Sequence, residues 1–460
     1  MKDRVAALVI GGGISGLVCA HALRKAGVDT LLLESSDRVG GAIRTERHHS
    51  FLLELGPQSF SGTAPMLQLF DDLGIRQKIV EAPARAPRYV LVNGKLQKVP
   101  MSPPAFLTSG FVGLGTKFAV LRDLIGKTSP PEQDESVADF VRRKFSVEML
   151  DRLVSPFVSG VYAGDPERLS LRSAFPMLYE AEKQKGSVIR GLFSKAEKQK
   201  PAQPRQRPTL LSFREGTQTF TDALAAKLGD RLSLNTSVTN VAPDRFEPTP
   251  TFRVTVQIGS DQQSLIAENV IIATPTDAAA DLLHDVEPAI GKRLAEIEYT
   301  PIAVVSLAYA RKDVGDLLHG FGFVVPRSAK IRSLGTVWNT ALFPNRAPET
   351  DALLTSFVGG ATDPQATQLS PDQLSALVHQ EISPFLKITS APIFSHVTIY
   401  PRALPQYNLG HSERLAAVHQ ALKNHPNLIL IGNYLRGPSV GSCIEQSLSA
   451  ADQIIRRQNR

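Results

Sequence analysis

Between Val5 and Ile10 the chain reads VAALVI, a run without a polar position, the form of a strand buried on both faces. Gly11-Gly12-Gly13-Ile14-Ser15-Gly16 interrupts it, and LVCAHALRKAG follows with helical character, ending at Gly27. Apolar positions return over Asp29–Leu33, and this second run stops at Glu34. The alternation resumes late in the chain. Phe213–Gly216 precedes a helix over Thr219–Leu228, then a strand over Leu232–Val241, a hairpin-like stretch FRVTVQIG, and a buried strand Asn269–Ala273 before Thr274-Pro275. Leu428–Ile431 is another apolar strand; it runs into Gly432-Asn433-Tyr434, and Pro438-Ser439-Val440-Gly441 leads into a helix over Ser442–Ile455. Strands and helices in this alternation predict an α/β chain (α+β overall) with a Rossmann-like domain assembled from separate segments.

The bulk numbers change this picture little. A chain of 460 residues exceeds one average core, so two or three lobes are expected, and 42% apolar with 21% charged residues fits a soluble globular enzyme. Cys19 and Cys443 form neither a disulfide framework nor a zinc pattern; both read as buried packing in a reducing compartment, and no metal is expected. The formal charge of +7 is concentrated between Lys183 and Arg207, where eight basic residues face only Glu197. KAEKQKPAQPRQRP there reads as a solvated loop; the sharper reading is attraction to anionic lipid headgroups, about 1 kcal/mol per basic residue near the surface. Nucleic acid is not expected, because no stacking aromatics interleave these charges. Only four residues precede the first strand, so no signal peptide is expected, and no run of 18 apolar residues exists to span a bilayer. Pro103–Gly126, rich in Phe and Leu but broken by Lys117 and Arg122, can lie in a membrane interface, wall an apolar cavity or be a core helix.

The glycine segment carries the first chemistry. Gly11 permits a tight turn, Gly13 lets backbone approach a pyrophosphate, and Gly16 allows helix to pack closely on strand, while the helix N-terminus offers free N–H groups. Glu34, 18 residues beyond Gly16, can accept from ribose hydroxyls and would repel a 2′-phosphate. After it come Ser35, Arg38, Gly40, Gly41, Ala42 and Arg44; the two glycines let the chain pass a second phosphate, whose charge Arg38 and Arg44 can balance. This E-x-x-x-R-x-G-G extension resembles that of flavoproteins of the amine oxidase and phytoene desaturase superfamily, and FAD is the expected cofactor. No second glycine fingerprint follows, so the electrons should come from an organic substrate rather than a nicotinamide.

Over essentially its whole length the chain resembles the oxygen-dependent protoporphyrinogen oxidases. The carriers are ELGPQSF at 54–60, RYVL at 88–91 with NGKLQKVP, SGVYAGDPERLSLRSAFP at 159–176, YTPIAVVSLAY at 299–309, GFGFVVP at 320–326, LGTVWNTALFPNRAP at 334–348, SFVGGATDP at 356–364, PQYNLGH at 405–411 and GNYLRGPSVGSCIE. The resemblance implies oxidation of protoporphyrinogen IX to protoporphyrin IX in porphyrin biosynthesis, with O2 reduced to peroxide. It implies that Gly56, Pro57, Gln58, Ser59, Val238, Gly432, Asn433, Pro438, Ser439 and Val440 join the glycine loop in holding FAD, Val238 through its backbone along the adenine. Arg88 matches a propionate-binding arginine, Phe343 an aromatic on a pyrrole ring, Val324 and Leu334 cavity walls, and Gly160, in the SGVYAGDP turn, a glycine whose carbonyl faces substrate. The hydride would leave a meso carbon for the flavin, with the protein orienting and desolvating. No side chain is a persuasive base, and the ten histidines are read as surface residues. Ala42, and Pro438 with Ser439, depart from the bulkier and the more aliphatic residues usual at those places.

The architecture expected is an FAD domain from 1–75, 209–280 and 425–460, a mixed-sheet substrate domain from 76–100 and 281–424, and a helical cap touching the membrane from 101–208. The resemblance further implies a peripheral place on the cytoplasmic membrane, with handover to a chelatase and a homodimer left open. Two other functions stay open: oxidation of coproporphyrinogen III, whose four carboxylates call for extra cations, and an FAD-binding scaffold without turnover.

Overall fold

The apolar run at the head of the chain is the Arg4–Ile10 strand, and it has parallel neighbours on both sides, Thr30–Leu33 and Asp261–Ile272. Parallel strands need a crossover, which the helix Ile14–Lys25 supplies between the first two. In the computed structural model, which describes residues 3–198, 210–244, 250–315 and 318–458, this sheet has seven strands. Asp261–Ile272 is long enough to serve two neighbours on one side. Its first half pairs antiparallel with Thr251–Ile258, and Val270–Ile272 pair in parallel with Leu428–Leu430. Ala7, Leu8 and Val9 are fully buried between layers, as a strand with no polar alternation must be. The α/β expectation is borne out.

A second seven-stranded sheet among the described residues is mixed, in the order Phe394–Pro405, Tyr299–Ala310, Asp351–Gly359, Ser333–Val337, Gly322–Val324, Arg88–Val92, Lys95–Lys98. Helix Pro371–Leu386, opened by a Ser370/Gln373 capping box, covers one face: Leu374, Val378 and Ile382 join Ala303, Val305 and Leu307 in one core. Residues directly opposite across strands share a face. The pairs Gly322↔Arg88, Gly335↔Val324 and Gly335↔Phe357 therefore put Arg88, Val324 and Phe357 on the face away from that helix.

Helices between Pro103 and Lys198 form a third body around Phe140, Val141, Val158, Tyr162 and Tyr407. Its charges are buried but matched: Lys144 Nζ stands 2.5 Å from Asp123 and 3.4 Å from Glu182, which also takes Arg143 at 2.8 Å. Pro103–Gly126 resolves into two helices, Pro103–Thr108 and Leu114–Ile125, with Phe111 and Val112 buried between them. Leu114, Phe118, Leu121 and Ile125 recur at helical spacing and are exposed, Ile125 by 81%. Among the described residues no helix is long and apolar enough to cross a membrane.

Several expectations need correction. Leu232–Val241 is two strands, Leu232–Ser233 and Thr236–Asp244, because Asn235 turns the chain at φ +50. Residues 195–198 of the expected loop continue the helix Val188–Lys198; the rest, 199–208, lies outside the described residues. Gly160 sits in the last turns of helix Ser155–Tyr162 rather than in a turn, since the chain leaves the helix only at Ala163, at φ +47. The histidines are not all on the surface. His411 is buried against Tyr407, ring on ring at 4.3 Å, His21 lies on the packed face of its helix, and His48 and His396 are half-buried.

One buried ion pair ties these bodies. Glu54 accepts from Thr217 N (2.9 Å) and Oγ1 (2.6 Å) and from Thr45 Oγ1 (2.7 Å), with Arg346 at 3.2 Å. Arg346 also donates to Ser212 Oγ at 2.6 Å. Burial pushes the Glu54 carboxyl up and the Arg346 guanidinium down, so desolvation opposes both charges and only their partners offset it. Removing one partner leaves the other charged and buried, at about 3–5 kcal/mol. Arg346→Leu is accordingly expected to lower the urea unfolding midpoint by that amount of stability, and a loss under about 1 kcal/mol would contradict the assignment.

Candidate active site

The glycine loop is built so that its first turn leaves no room for side chains and its next residue opens on empty space. A Cβ at Gly16 would stand 1.9 Å from the Gly11 carbonyl oxygen, so helix and strand can approach this closely only with glycine there. Nothing lies within 4 Å of a Cβ placed on Gly13, which is the N-cap of Ile14–Lys25 and makes no side-chain cap bond. The first N–H groups of that helix are therefore left for a ligand, and their dipole favours an anion.

The Gly40-Gly41 extension folds onto this loop. Gly40 N–H donates to the Gly12 carbonyl at 2.8 Å, and Gly13 bridges Gly40. Both Gly40 (φ +103) and Gly41 (φ +58) hold backbone angles other residues rarely adopt. Glu34 closes the same corner: Oε2 accepts from Gly12 N–H at 2.5 Å, and Oε1 from Ser36 N–H (2.9 Å) and Oγ (2.7 Å), with Ser35 Oγ at 3.4 Å. Ser36, not singled out in the sequence, is thus the nearer partner; an Asx-like i,i+2 position after a strand-end acid was its signal. Arg38 donates to the carbonyls of Val39 and Gly41, while Arg44 pairs with Glu46 on the next strand. Ala42 is exposed, and its carbonyl lies 1.8 Å from where a Cβ on Gly56 would be.

Gly56, Pro57, Gln58 and Ser59 follow Glu54, and Gln58 is buried. Its Nε2 donates to the carbonyls of Glu54 and Gly56, and its Oε1 accepts from Asn339 at 2.7 Å, joining this loop to the second sheet. Val238 is half-buried at a bulge, where register slips between Val238 and Asn240. At the C-terminal end, helix Val440–Gln458 starts earlier than expected, because Ser439 Oγ accepts from Ser442 N–H at 3.1 Å and caps it. Pro438 and Val440 flank that cap. The Cys443 side chain lies beside Ser15, which brings this helix start next to the glycine loop.

Tyr407 holds the Gly432–Gly437 stretch. Its hydroxyl donates to the Asn433 carbonyl at 2.5 Å and accepts from Gly437 N–H at 2.6 Å, while its ring meets Tyr162 of the helical body. It lay within PQYNLGH, but nothing in that string told a buried hydroxyl from a surface one.

The residues expected to meet substrate lie on or beside the face of the second sheet turned away from helix Pro371–Leu386. Arg88 is exposed at the head of its strand, its guanidinium 5.4 Å from the Phe321 ring centroid. Val324 Cγ1 would be 3.3 Å from a Cβ on Gly160, so the helix Ser155–Tyr162 faces Val324 directly. Leu334, Phe357 and Tyr400 all pack against the buried cluster of Ala163, Ile302 and Val304. Phe343 is buried, with Arg346 5.4 Å over its ring, and it clusters with Phe321 and Phe357. Phe321, Phe357 and Tyr400 belong to this wall as well; strand register, invisible in one sequence, turns Phe357 and Tyr400 inward, and Phe321 joins them just ahead of the strand Gly322–Val324. Beside Leu334 and Ser159 lies a cavity of about 280 Å³.

A matching family model, flavin containing amine oxidoreductase, spans residues 14–455. The chain belongs to the flavin-containing amine oxidoreductases. It is an FAD-dependent oxidoreductase, and the loop geometry above fits the cofactor: open space at Gly13, an uncapped helix start and a Gly40 contact beside it. The chain is 32% identical over 478 residues to the chloroplastic protoporphyrinogen oxidase of Nicotiana tabacum (97% of this chain, 85% of the relative), which bears out the resemblance. It is 29% identical to the coproporphyrinogen III oxidase of Bacillus subtilis (strain 168), covering 97% of each. A solved protein of Exiguobacterium sp. 255-15 shares the fold (TM-score 0.81, 22% identity, 100% of both chains).

Gly16→Ala is expected to yield folded protein with most of its flavin lost, read from the visible flavin absorbance per protein after purification. Retention of a full complement would contradict the role given to that close approach.

Proposed function

We propose that the chain oxidises protoporphyrinogen IX to protoporphyrin IX with bound FAD, O2 taking the electrons. The observation that carries this is the face of the second sheet turned away from helix Pro371–Leu386, where one exposed guanidinium, Arg88, stands at the edge of a wall made of Val324, Leu334, Phe321 and Phe357. A puckered tetrapyrrole is apolar over most of its surface and anionic along its propionate edge. Such a wall desolvates the macrocycle, and a planar guanidinium takes a carboxylate through paired hydrogen bonds. The names of the tobacco and Bacillus relatives point to the same chemical class.

The bound flavin supplies hydride acceptance from carbon. The chain orients the substrate. Gly160 lets the macrocycle approach helix Ser155–Tyr162, where a larger residue would press on Val324. Ala163 N–H takes the Ser159 carbonyl and Gln406 Nε2 the Tyr162 carbonyl, which leaves the Gly160 carbonyl, in the open last turn of the helix, available to a pyrrole N–H.

Coproporphyrinogen III is the competing substrate. Arg327, Lys330 and Arg332 line the cavity beside Leu334 and would suit its additional carboxylates. Arg332 is paired with Asp363 at 2.6 Å and Arg327 with Asp165 at 3.3 Å, which leaves these guanidiniums largely neutralised and favours the dicarboxylate. Separate assays with the two porphyrinogens test this: a higher kcat/KM is expected for protoporphyrinogen, and the reverse order would replace it with coproporphyrinogen. Arg88→Ala is expected to raise KM by roughly 10- to 100-fold, the worth of a lost charge-assisted bond, with FAD content unchanged. An unchanged KM would remove Arg88 from the site.

The exposed stripe Leu114, Phe118, Leu121 and Ile125, interspersed with Lys117 and Arg122, supports peripheral attachment to an anionic membrane surface. Phe118→Glu with Ile125→Glu is expected to abolish sedimentation with anionic phospholipid vesicles while porphyrinogen oxidation in detergent persists; undiminished sedimentation would refute attachment through this helix.

A further inference from the structure

Glu46, His48 and His396 hold no role assigned to cofactor or substrate, yet they converge beside Arg44. Glu46 and His48 are two apart on the strand Thr45–His48, so both project to one side. His396 belongs to Phe394–Pro405, the edge strand of the second sheet, some 350 residues away in the chain. The juxtaposition is pinned by packing. Phe51, paired with His48 across the Thr45–Glu54 hairpin, stacks on Phe394 at 4.8 Å and 25°. That contact sets the His48 ring 4.5 Å from the His396 ring. His48 Nε2 lies 2.7 Å from Glu46 Oε2, and one donor atom from each of the three residues lies within 4.8 Å of the other two.

We propose that Glu46, His48 and His396 form a binding site for a divalent transition-metal ion of the zinc class, clipping the hairpin that follows the flavin loops to the edge of the substrate sheet. Two imidazoles and one carboxylate are the donors of a borderline ion; calcium and magnesium prefer all-oxygen shells. Tetrahedral donors around zinc stand about 3.3 Å apart, so the Glu46–His48 contact opens by about half an ångström as the ion replaces the shared proton. The side chains of His48 and Glu46 are 34% and 25% exposed, which leaves an entry path and a fourth position for water. Outer contacts hold the donors: Arg44 pairs with the other Glu46 oxygen, and Thr398 Oγ1 lies 3.2 Å from His396 Nε2. The sequence showed no metal spacing because the third donor comes from another sheet.

The test is calorimetric titration of ZnCl2 into untagged, chelator-stripped holoenzyme, with MgCl2 as the comparison ion. One equivalent of saturable zinc binding is expected, and none of magnesium. His396→Gln and Glu46→Gln should each weaken the zinc Kd at least tenfold with flavin absorbance unchanged, whereas His284→Gln, at an exposed histidine elsewhere, should not. Absence of saturable zinc binding overturns the proposal without reference to any variant. So does a Kd that neither substitution changes.

Discussion

A single buried carboxylate holds together the parts that must meet at the active site. Glu54 ends the hairpin that leaves the flavin loops, and its four partners come from Thr45, Thr217 and Arg346. Through Thr217 it fixes the start of the returning nucleotide segment, and Gly216 before it packs so closely on Thr45 that a Cβ would fall 2.2 Å from the Thr45 methyl. Through Arg346 it reaches the second sheet and the face of Phe343. Burial works against both charges, so the arrangement is not a reservoir of stability. It specifies one geometry, because any displacement strands a charge out of water.

From this tie the two halves of the site follow. The glycine loop, the Gly40-Gly41 extension and the start of helix Val440–Gln458 meet on one side. On the other side the second sheet presents an apolar face edged by Arg88. Gln58 bonds to Asn339, and Tyr407 spans from Tyr162 to the Asn433–Gly437 stretch, so two further buried contacts cross between these bodies. Burial raises the Tyr407 hydroxyl far above its ordinary range, which keeps it protonated and able to donate to Asn433.

What was legible in the sequence was local. The glycine loop, Glu34 at a strand tip and the all-apolar strands depend on neighbours a few residues away, and each stands where the pattern put it. Features set by tertiary contact were not legible. Glu54 and Arg346 both lay in recognised strings, ELGPQSF and FPNRAP, but 292 positions separate them and nothing in either names the other. Phe357 and Tyr400 face the cleft through strand register, which a one-residue slip would reverse. His411 looked like a polar surface residue until Tyr407 was found stacked on it. Asn235 broke a strand that reads as continuous, since a left-handed residue costs no hydrophobicity and leaves the pattern intact.

The central claim is that the flavin-binding corner and the Arg88-edged face act on one substrate, a porphyrinogen. Anaerobic addition of protoporphyrinogen IX to the FAD-loaded enzyme tests it most directly. The account predicts that the visible flavin absorbance bleaches as porphyrin fluorescence appears, and that admitting O2 restores it. Flavin that keeps its absorbance with both porphyrinogens, while still bound, would contradict the account and leave a flavin-binding protein without this chemistry.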